Sequence, residues 1–266
     1  MVIDGKQIAG EIAERLKALP APKKFFAAVL VGDDKNSISF LAQKKKMAES
    51  VGIDFRLYPF PAEIKNDALR AAVGEIAAHK TCGGVLVQLP LPAHVNRHYI
   101  LNAIPPQKDV DVLGERSLGA FYVGRGKVVS PVAATVEEIV RRCGLDLAHL
   151  RVAVVGRGIL VGRPIATWLM GKVRELSVFG PHAALAGLED TDLVITGIGK
   201  ANFIKPEMLK SGATVIDFGY DSVDGKLYGD LDTRGADTLG FFTPTPGGTG
   251  PVVVAKLFEN FYTLNG

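Results

Sequence analysis

The chain has 266 residues, of which 47% are hydrophobic and 22% charged, and its formal net charge at pH 7 is +3. This composition supplies enough apolar material for a sizeable core and excludes general disorder, and the length predicts one large domain or two ordinary ones. So small a surplus of positive charge excludes a nucleic-acid footprint, and we expect no nucleic-acid partner.

The cysteines and the N-terminus indicate a cytoplasmic protein. Cys82 and Cys143 form neither a CxxC pair nor a Cys/His cluster, so we expect no disulfide framework and no metal site. The N-terminus lacks the basic head and the continuous apolar run of a signal peptide. The apolar stretches are far shorter than the ~20 residues of a membrane span. We therefore expect a cytoplasmic location and no membrane partner.

Short apolar strands alternate with amphipathic helices through the first half of the chain. Ile8, Ile12 and Leu16 keep a helical spacing, and the bare apolar run at 25–31 is typical of a strand buried on both faces. Ser37 is the predicted N-cap of the next helix. Further helices are predicted at 37–50, 65–79 and 96–103, and strands at 55–60 and 84–88. This order predicts a mainly parallel sheet with helices on both sides.

The pattern weakens in the middle of the chain and then restarts. Glycines accumulate at 114–129, which predicts a connecting region with binding loops, and a helix at 135–143 is expected to link two domains. Asp224-Gly225 between two short extended runs indicates a hairpin at 223–228. Strands are predicted at 152–155, 176–179, 193–196 and 215–218, and helices at 162–171 and 252–264. We expect domains at 1–134 and 135–251, with the last helix, 252–266, packed back on the first domain.

A glycine-rich turn in the second half predicts a dinucleotide site. The strand at 152–155 runs directly into Gly156, Arg157 and Gly158, and Gly162 opens the next helix. Glycines let the backbone approach a pyrophosphate, and the helix N-terminus offers free N–H groups and a positive dipole end. The alternative for a lone glycine motif is a plain tight turn. The strand at 176–179 is followed by no acidic residue, and Arg157 adjoins the turn, which favours NADP, with NAD as the alternative.

Polar side chains in the first half predict a lysine pocket. Phe40 and Lys44 are spaced i, i+4 and share one helix face. Gln88 ends an apolar strand, where ligands of open α/β sheets bind, and Asp111 lies in a later loop. A lysine stem against Phe40 with Gln88 at its tip is a partly desolvated amine, which can act in proton transfer near neutral pH. The alternative is a solvated helix lysine, a strand-end glutamine and a loop aspartate with no shared role.

Five segments of the chain carry a resemblance to a known family. QLPLP at 88–92 precedes KDVD at 108–111, and PGGTGP occupies 246–251. The segments 31–44 and 156–164 complete the set, which extends over nearly the whole chain. In order and in content these motifs resemble the signatures of the bifunctional methylenetetrahydrofolate dehydrogenase/methenyltetrahydrofolate cyclohydrolase family.

The resemblance implies an α/β fold with an N-terminal folate-site domain, a C-terminal Rossmann-like dinucleotide-binding domain and a ligand cleft between them. It implies NADP-dependent oxidation of 5,10-methylenetetrahydrofolate, then hydrolysis of the methenyl product to 10-formyltetrahydrofolate, in one-carbon metabolism. The family forms a homodimer through its C-terminal domain, for which the hairpin at 223–228 is a candidate edge.

The resemblance also assigns site residues. Lys44 resembles the catalytic lysine that assists water attack and proton transfer, and Gln88 resembles the residue that orients this lysine and helps to keep it neutral. Asp111 resembles the carboxylate that grips the amino-pyrimidine edge of the pterin. The folate would contact Phe40, Pro246, Gly247 and Gly248, and the cofactor would contact Gly156, Arg157, Gly158 and Gly162.

Several positions depart from the family's pattern. Phe40 replaces the usual Tyr, Gly158 replaces the usual Ser, and the other departures lie at 131–134, near 180–181 and at 252–253. The alternatives are a member with only one of the two activities, a catalytically silent folate- or nucleotide-binding protein, and a shikimate-type dehydrogenase. The intact Lys44, Gln88 and Asp111 argue against a silent protein, and the QLPLP and PGGTGP motifs argue against the shikimate type.

Overall fold

The computed structural model describes residues 1–181 and 183–266 and separates them into two units. The first unit consists of Gly10–Pro131 and Val254–Gly266, and the second consists of Met1–Ala9 and Val132–Val253. The position near 180–181, where the sequence departs from the family's pattern, adjoins His182, which lies outside the described residues.

The first nine residues group with the second unit, which differs from the predicted domain at 1–134. A short parallel bridge is the physical reason. The Ile3 N–H donates to the Phe242 carbonyl at 2.8 Å, and the Phe242 N–H donates to the Met1 carbonyl at 3.0 Å. Because these partners come from opposite ends of the chain, no local pattern indicates their pairing.

The first unit holds a small parallel sheet with the strand order β2-β1-β3. Its strands are β1 (Phe25–Val31), β2 (Phe55–Phe60) and β3 (Cys82–Val87). The helices of this part of the chain are α1 (Gly5–Lys17), α2 (Lys35–Ser50), α3 (Asn66–Ala78), α4 (Arg97–Leu101) and α5 (Glu115–Tyr122). The α1 segment begins within the residues of the second unit and continues into the first.

The second unit holds a larger parallel sheet with the order β10-β7-β6-β4-β5 and a separate antiparallel hairpin, β8-β9. Its strands are β4 (Arg151–Val155), β5 (Glu175–Phe179), β6 (Leu193–Thr196), β7 (Thr214–Asp217), β8 (Asp221–Val223), β9 (Lys226–Tyr228) and β10 (Phe241–Phe242). The remaining helices are α6 (Pro131–Arg142), α7 (Gly162–Leu169) and α8 (Thr249–Asn265). The predicted hairpin is confirmed, and both turn residues, Asp224 and Gly225, have the positive φ that its tight turn requires.

Burial on both faces explains the continuous apolar sequence of β1. On one face, Val29 packs in a cluster with Leu69 and Val73 of α3. On the other face, the ring of Phe26 lies 5.1 Å from that of Phe258 and 5.5 Å from that of Phe261, both in α8. Because successive side chains of a strand alternate between faces, each face of β1 needs its own apolar partner.

The C-terminal part of α8 is fastened to the first unit by side-chain hydrogen bonds to backbone carbonyls. The Asn260 amide donates to Val110 O at 2.9 Å, and the Tyr262 hydroxyl donates to Val51 O at 2.7 Å. Both side chains are buried, so these bonds satisfy carbonyl groups that water does not reach. This helix therefore completes the core that β1 begins.

Two local predictions in the first unit are wrong. Asp34, and not Ser37, is the N-cap of α2, because the Asp34 carboxylate accepts the Ser37 N–H at 2.7 Å. The segment predicted as a connecting loop at 114–129 contains α5, whose first N–H, that of Glu115, donates to the Asn102 side chain at 2.9 Å. The cap of α5 thus comes from a distant residue, so the local sequence carried no start signal.

Among the residues that the structure describes, no helix has the length and apolar character needed to cross a membrane.

Candidate functional site

The structure brings Lys44 and Gln88 into direct contact. The Nζ of Lys44, on α2, donates to the Oε1 of Gln88 at 2.8 Å. Gln88 directly follows β3, and its backbone N–H donates to Val29 O at 2.9 Å, which fixes its position at the end of the sheet. The Gln88 amide nitrogen donates to Leu89 O at 2.8 Å, so the amide oxygen is the atom that faces the lysine. Residues 44 positions apart thereby share one polar site.

Lys44 differs electrostatically from the lysines that follow it. Lys45 and Lys46 are exposed, as the helical period predicts, whereas Lys44 and Phe40 are half-buried. Burial lowers the pKa of the Lys44 amine from its ordinary 10.5, and the nearby Asp111 carboxylate partly opposes this by favouring the charged form. The amine therefore releases its proton closer to neutral pH than a solvated lysine does.

Asp111 is the carboxylate coupled to this amine. Burial raises the pKa of Asp111 from 3.8 to about 6, Lys44 pulls it down, and Asp109 pushes it up further. At pH 7 Asp111 is therefore mainly ionised, yet it takes up a proton at a pH where solvated aspartates stay charged. The ionised Asp111 carboxylate can therefore accept hydrogen bonds from the donor groups of a ligand. Its negative charge also raises the proton affinity of the neighbouring Lys44 amine.

The loop that carries Asp111 is held by a second aspartate and by a strained residue. The carboxylate of Asp109, which is 2% exposed, accepts the N–H groups of Leu113 at 3.1 Å and Gly114 at 2.8 Å. Between them, Val112 has a φ of +57°, a conformation that a β-branched residue adopts only under constraint. Neither role was predicted from the sequence, since a valine carries no signal for a positive φ.

The predicted dinucleotide turn in the second unit is a bare backbone cradle. Gly156 has a φ of +105°, and its N–H donates to Phe179 O at 2.9 Å at the ends of β4 and β5. A Cβ at Gly162 would overlap the Gly156 carbonyl oxygen and would lie 2.6 Å from its carbonyl carbon. A Cβ at Gly158, by contrast, would meet nothing within 4 Å. The turn thus admits no side chain at Gly162, and this close backbone approach fits a bound pyrophosphate.

The Arg157 side chain lies against Gly180, the residue that follows β5. A Cβ at Gly180, directly after β5, would lie 2.9 Å from the Arg157 Nε and 3.0 Å from its Cζ, so the guanidinium packs over this glycine. The Arg163 side chain donates to the Arg157 carbonyl at 3.2 Å and ties the turn to the start of α7. A guanidinium therefore occupies the end of the second strand of the nucleotide-binding motif, where an NAD-type site has a carboxylate.

The loop with Pro246, Gly247 and Gly248 belongs to the second unit. Helix α8 begins within the same motif, at Thr249, and so starts three residues before the predicted position 252. Gly247 has a φ of +100°, and a Cβ at Gly248 would lie 2.8 Å from the Thr243 Cβ. These glycines are therefore required by the packing of the loop itself.

Asp217 anchors this loop, a role that was not predicted from the sequence. Its backbone N–H donates to the Thr243 hydroxyl at 2.7 Å, and its carbonyl accepts the Thr249 hydroxyl at 2.8 Å. Burial raises the pKa of the Asp217 carboxyl to about 7, and the negative charge of the neighbouring Asp230 raises it further. A hydrogen bond from the Leu231 N–H to the Asp217 carboxylate, at 2.9 Å, partly opposes this rise. The signal that found Gln88, a polar residue at the end of an apolar strand, was also present at Asp217.

A bare glycine cradle on a parallel sheet, in a chain that also holds a desolvated lysine, defines the class of dinucleotide-dependent α/β enzymes. Residues 3–111 match the family model "Tetrahydrofolate dehydrogenase/cyclohydrolase, catalytic domain", and residues 130–265 match the corresponding NAD(P)-binding domain. The chain belongs to the tetrahydrofolate dehydrogenase/cyclohydrolase family. This confirms the predicted family and the predicted fold class, with an N-terminal catalytic domain and a C-terminal Rossmann-like domain.

Full-length relatives agree with the family models. The bifunctional protein FolD of Bacillus licheniformis is 34% identical, over 97% of this chain and 95% of its own length. The crystal structure of the bifunctional FolD methylenetetrahydrofolate dehydrogenase/cyclohydrolase from Campylobacter jejuni has a TM-score of 0.94 at 29% identity, covering 99% of this chain and 98% of that one. The Trypanosoma brucei enzyme, complexed with NADP cofactor and inhibitor, has a TM-score of 0.93 at 29% identity and covers 99% and 96%.

Proposed function

We propose that this chain, a bifunctional dehydrogenase/cyclohydrolase of one-carbon metabolism, performs both reactions with the residues described above. 5,10-Methylenetetrahydrofolate and NADP⁺ would give the methenyl cation and NADPH, and water would then add to give 10-formyltetrahydrofolate and a proton. The observation that carries the proposal is the hydrogen bond between Lys44 and Gln88 in a catalytic unit whose partner unit has a glycine cradle for the cofactor. We assign folate binding to the first unit and cofactor binding to the second.

A two-part assay on the purified chain tests this proposal. NADPH formation with methylenetetrahydrofolate measures the first reaction, and loss of methenyltetrahydrofolate absorbance without cofactor measures the second. We expect both. One reaction without the other would support the single-activity alternative, and the loss of both, with ligand binding retained, would support a silent binding protein.

The proton steps follow from the state of Lys44. Bound NADP supplies the hydride acceptor for the first reaction. In the second, the unprotonated amine of Lys44 accepts a proton from the water that attacks the methenyl carbon, because its lowered pKa makes the neutral form accessible. Gln88 holds the amine in place through its Oε1, and Asp111 supplies the ionised acceptor for the amino-pyrimidine edge.

We expect Asp111→Ala to weaken folate binding far more than NADP binding. Loss of a charge-assisted hydrogen bond costs roughly 1.5–3 kcal/mol, which is about 10- to 150-fold in affinity. Since the pKa of Asp111 is about 6, folate affinity of the wild type should also fall as the pH drops through 6 and the carboxylate becomes protonated. Titrations of both ligands between pH 5 and 8 measure this, and the variant should lack that pH dependence. Equal losses for folate and NADP would make Asp111 a structural residue.

We expect Phe40→Tyr to raise cyclohydrolase turnover or to shift its pH optimum. The two side chains differ by one oxygen, so packing against the lysine stem should change little. A restored hydrogen bond is worth about 0.5–1.5 kcal/mol, or up to roughly tenfold in rate. The pH–rate profile and the melting temperature of both proteins are to be compared. An unchanged profile would make the hydroxyl irrelevant here, and a lower rate would mean that the site is adapted to phenylalanine.

NADP is the proposed cofactor because Arg157 packs over Gly180. Arg157→Gln should lower the preference for NADP over NAD, taken as the ratio of kcat/KM values, by about tenfold or more through the loss of one charge-assisted contact to the 2′-phosphate. Arg174→Gln is the matched control, since this exposed arginine precedes β5 and so lies at its opposite end. If both variants kept the wild-type preference for NADP over NAD, Arg157 would have no role in selecting the cofactor.

The assembly and location of the chain are also proposals. We infer a homodimer through the second unit, with the hairpin β8-β9 as the candidate edge, because its two strands form a separate sheet whose outer edges pair with no other described strand. Sedimentation of the wild type and of Val223→Lys measures this, and only the variant should dissociate. Free Cys82 and Cys143 favour the cytoplasm.

A further inference from the structure

Asp230 is a buried carboxylate in the second unit that neither proposed reaction uses. The residue is 0% exposed, and its side chain forms no ion pair within the part of the chain that the structure describes. Burial of a carboxylate is costly unless hydrogen bonds replace its lost hydration. The groups that donate these bonds therefore show what the Asp230 side chain holds in place.

The described donors to the Asp230 carboxylate all belong to one segment, 196–200, which begins with the last residue of β6 and is the β6 loop. The Asp230 Oδ2 accepts the Thr196 hydroxyl at 2.7 Å and the Ile198 N–H at 2.7 Å. The Asp230 Oδ1 accepts the Lys200 N–H at 2.7 Å. Because two of the donors are backbone groups, the carboxylate fixes the path of the loop itself.

The β6 loop lies directly against the glycine cradle that we assign to the cofactor. The Gly197 N–H donates to Val155 O at 3.0 Å, which joins the loop to the end of β4. A Cβ at Gly197 would overlap the Val161 side chain, and a Cβ at Gly156 would lie 3.0 Å from the Gly197 carbonyl oxygen. The loop and the cradle are therefore in close contact, and a shift of the loop changes the wall of the cofactor site.

The order of the strands decides which part of a dinucleotide the β6 loop borders. Strand β4 lies between β5 and β6 and is parallel to both, so the crevice at their carboxyl ends is the topological switch point where ligands of such sheets bind. The 2′-phosphate is proposed to lie beyond β5, where Arg157 packs over Gly180, and the pyrophosphate at the cradle beyond β4. The nicotinamide half of NADP therefore extends towards β6 and its loop.

The segment that carries Asp230 is itself held from two sides. The Asp217 carboxylate, at the end of β7, accepts the Leu231 N–H at 2.9 Å. The Asp230 carbonyl accepts the Ile204 N–H at 2.8 Å. A Cβ at Gly219 would overlap the Asp230 carboxylate, so a glycine at that position leaves room for it. These contacts place the Asp230 carboxylate independently of any ligand.

We propose that Asp230 is a positioning residue for the nicotinamide half of the cofactor, because it holds the β6 loop against the glycine cradle. The inference rests on the proposed function, since it requires NADP to bind at this cradle. Asp230 acts through the loop and not by contact with the cofactor. Its loss should therefore weaken NADP far more than a ligand that consists of the adenosine half alone.

Calorimetric titration of the full chain with NADP and with adenosine 2′,5′-bisphosphate tests this difference. The bisphosphate keeps the adenosine, the 2′-phosphate and one phosphate of the pyrophosphate, but it lacks the nicotinamide half. A general loss of structure in the second unit would weaken both ligands. A displaced β6 loop would weaken only NADP.

Two variants remove the contacts of Asp230 to different extents. In Asp230→Asn, the amide nitrogen must face the backbone N–H of Ile198 or of Lys200, whichever way the amide is turned. Thr196→Val removes one hydrogen bond and leaves both backbone bonds in place. The matched control is Asp232→Asn, since Asp232 is also buried but the described hydrogen bonds to its carboxylate all come from Arg234.

We expect Asp230→Asn to raise the dissociation constant for NADP about tenfold or more, and that for the bisphosphate by less than about twofold. Thr196→Val should raise the constant for NADP roughly two- to fivefold, and Asp232→Asn should leave both constants at the wild-type values. The melting temperature and the rate of cofactor-free cyclohydrolase activity show that each variant is folded.

Equal weakening of NADP and of the bisphosphate in Asp230→Asn would make Asp230 a general structural residue and overturn the proposal. If Asp230→Asn does not fold, Thr196→Val decides, and wild-type NADP affinity in that variant would overturn the proposal. A wild type that bound neither ligand would refute the proposed cofactor site itself, whereas unchanged NADP binding by a folded Asp230→Asn would refute this inference alone.

Discussion

Replacement of Lys44 by methionine should abolish cyclohydrolase activity in a protein that still folds. Methionine keeps the length and the apolar stem of lysine but removes the amine that donates to Gln88 and that has the lowered pKa. General acid–base catalysis contributes about 10²- to 10⁴-fold, and the rate of methenyltetrahydrofolate hydrolysis should fall by that factor. NADP affinity should be retained, because the cofactor cradle belongs to the second unit.

Lys45→Met is the matched control for this experiment. Lys45 lies on the same helix but is exposed, and its amine faces Glu49 at 3.8 Å and not the site. The control should hydrolyse the methenyl substrate at the wild-type rate. A folded Lys44→Met protein that also kept this rate would refute the catalytic role of Lys44 and leave it a structural residue of α2.

The second large effect is expected for Gly162→Ala, which should remove NADP-dependent dehydrogenase activity. The added Cβ would overlap the Gly156 carbonyl oxygen, so the backbone of the cofactor turn must move away from the position that a pyrophosphate requires. Overpacking of this kind costs about 1–3 kcal/mol in stability, and the displaced turn should raise the dissociation constant for NADP by well over tenfold. Cofactor titration and the melting temperature measure the two effects.

Gly158→Ala controls for the loss of glycine in the same turn. A Cβ at Gly158 would meet nothing within 4 Å, so this variant should keep NADP binding and dehydrogenase activity close to the wild type. Cyclohydrolase activity should survive in both variants, since Lys44 and Gln88 belong to the first unit. If Gly158→Ala were as inactive as Gly162→Ala, the steric explanation for Gly162 would be wrong.

The regular elements of the chain could be predicted from the sequence with few errors. Strand β1 was predicted at its observed bounds, because a strand buried on both faces shows as an unbroken apolar run. The hairpin β8-β9 was found from Asp224-Gly225, since few residue pairs tolerate two successive positive φ values. These features depend on neighbouring residues, so they can be recognised locally.

Apart from the N-cap of α2, which is the neighbouring Asp34 and not Ser37, the errors occurred where a distant residue completes an element. The start of α5 is capped by Asn102, and the N-terminal residues pair with Phe242. A cap or a pairing of this kind leaves no mark in the segment itself, because the hydrogen-bond partner lies elsewhere in the chain. The strained Val112 is a further example, since its φ is imposed by the surrounding loop and not by its own preference.

The sequence by itself determined the family, the alternation of strands and helices, and the residue types of the candidate site, because motifs and periodicities are written in consecutive positions. Only the tertiary structure decided that Lys44 donates to Gln88, that Asp111 shares the electrostatic field of that amine, and that Gly162 has no room for a side chain. The physical reason is that hydrogen-bond distance, desolvation and steric overlap depend on which remote segments the fold brings together.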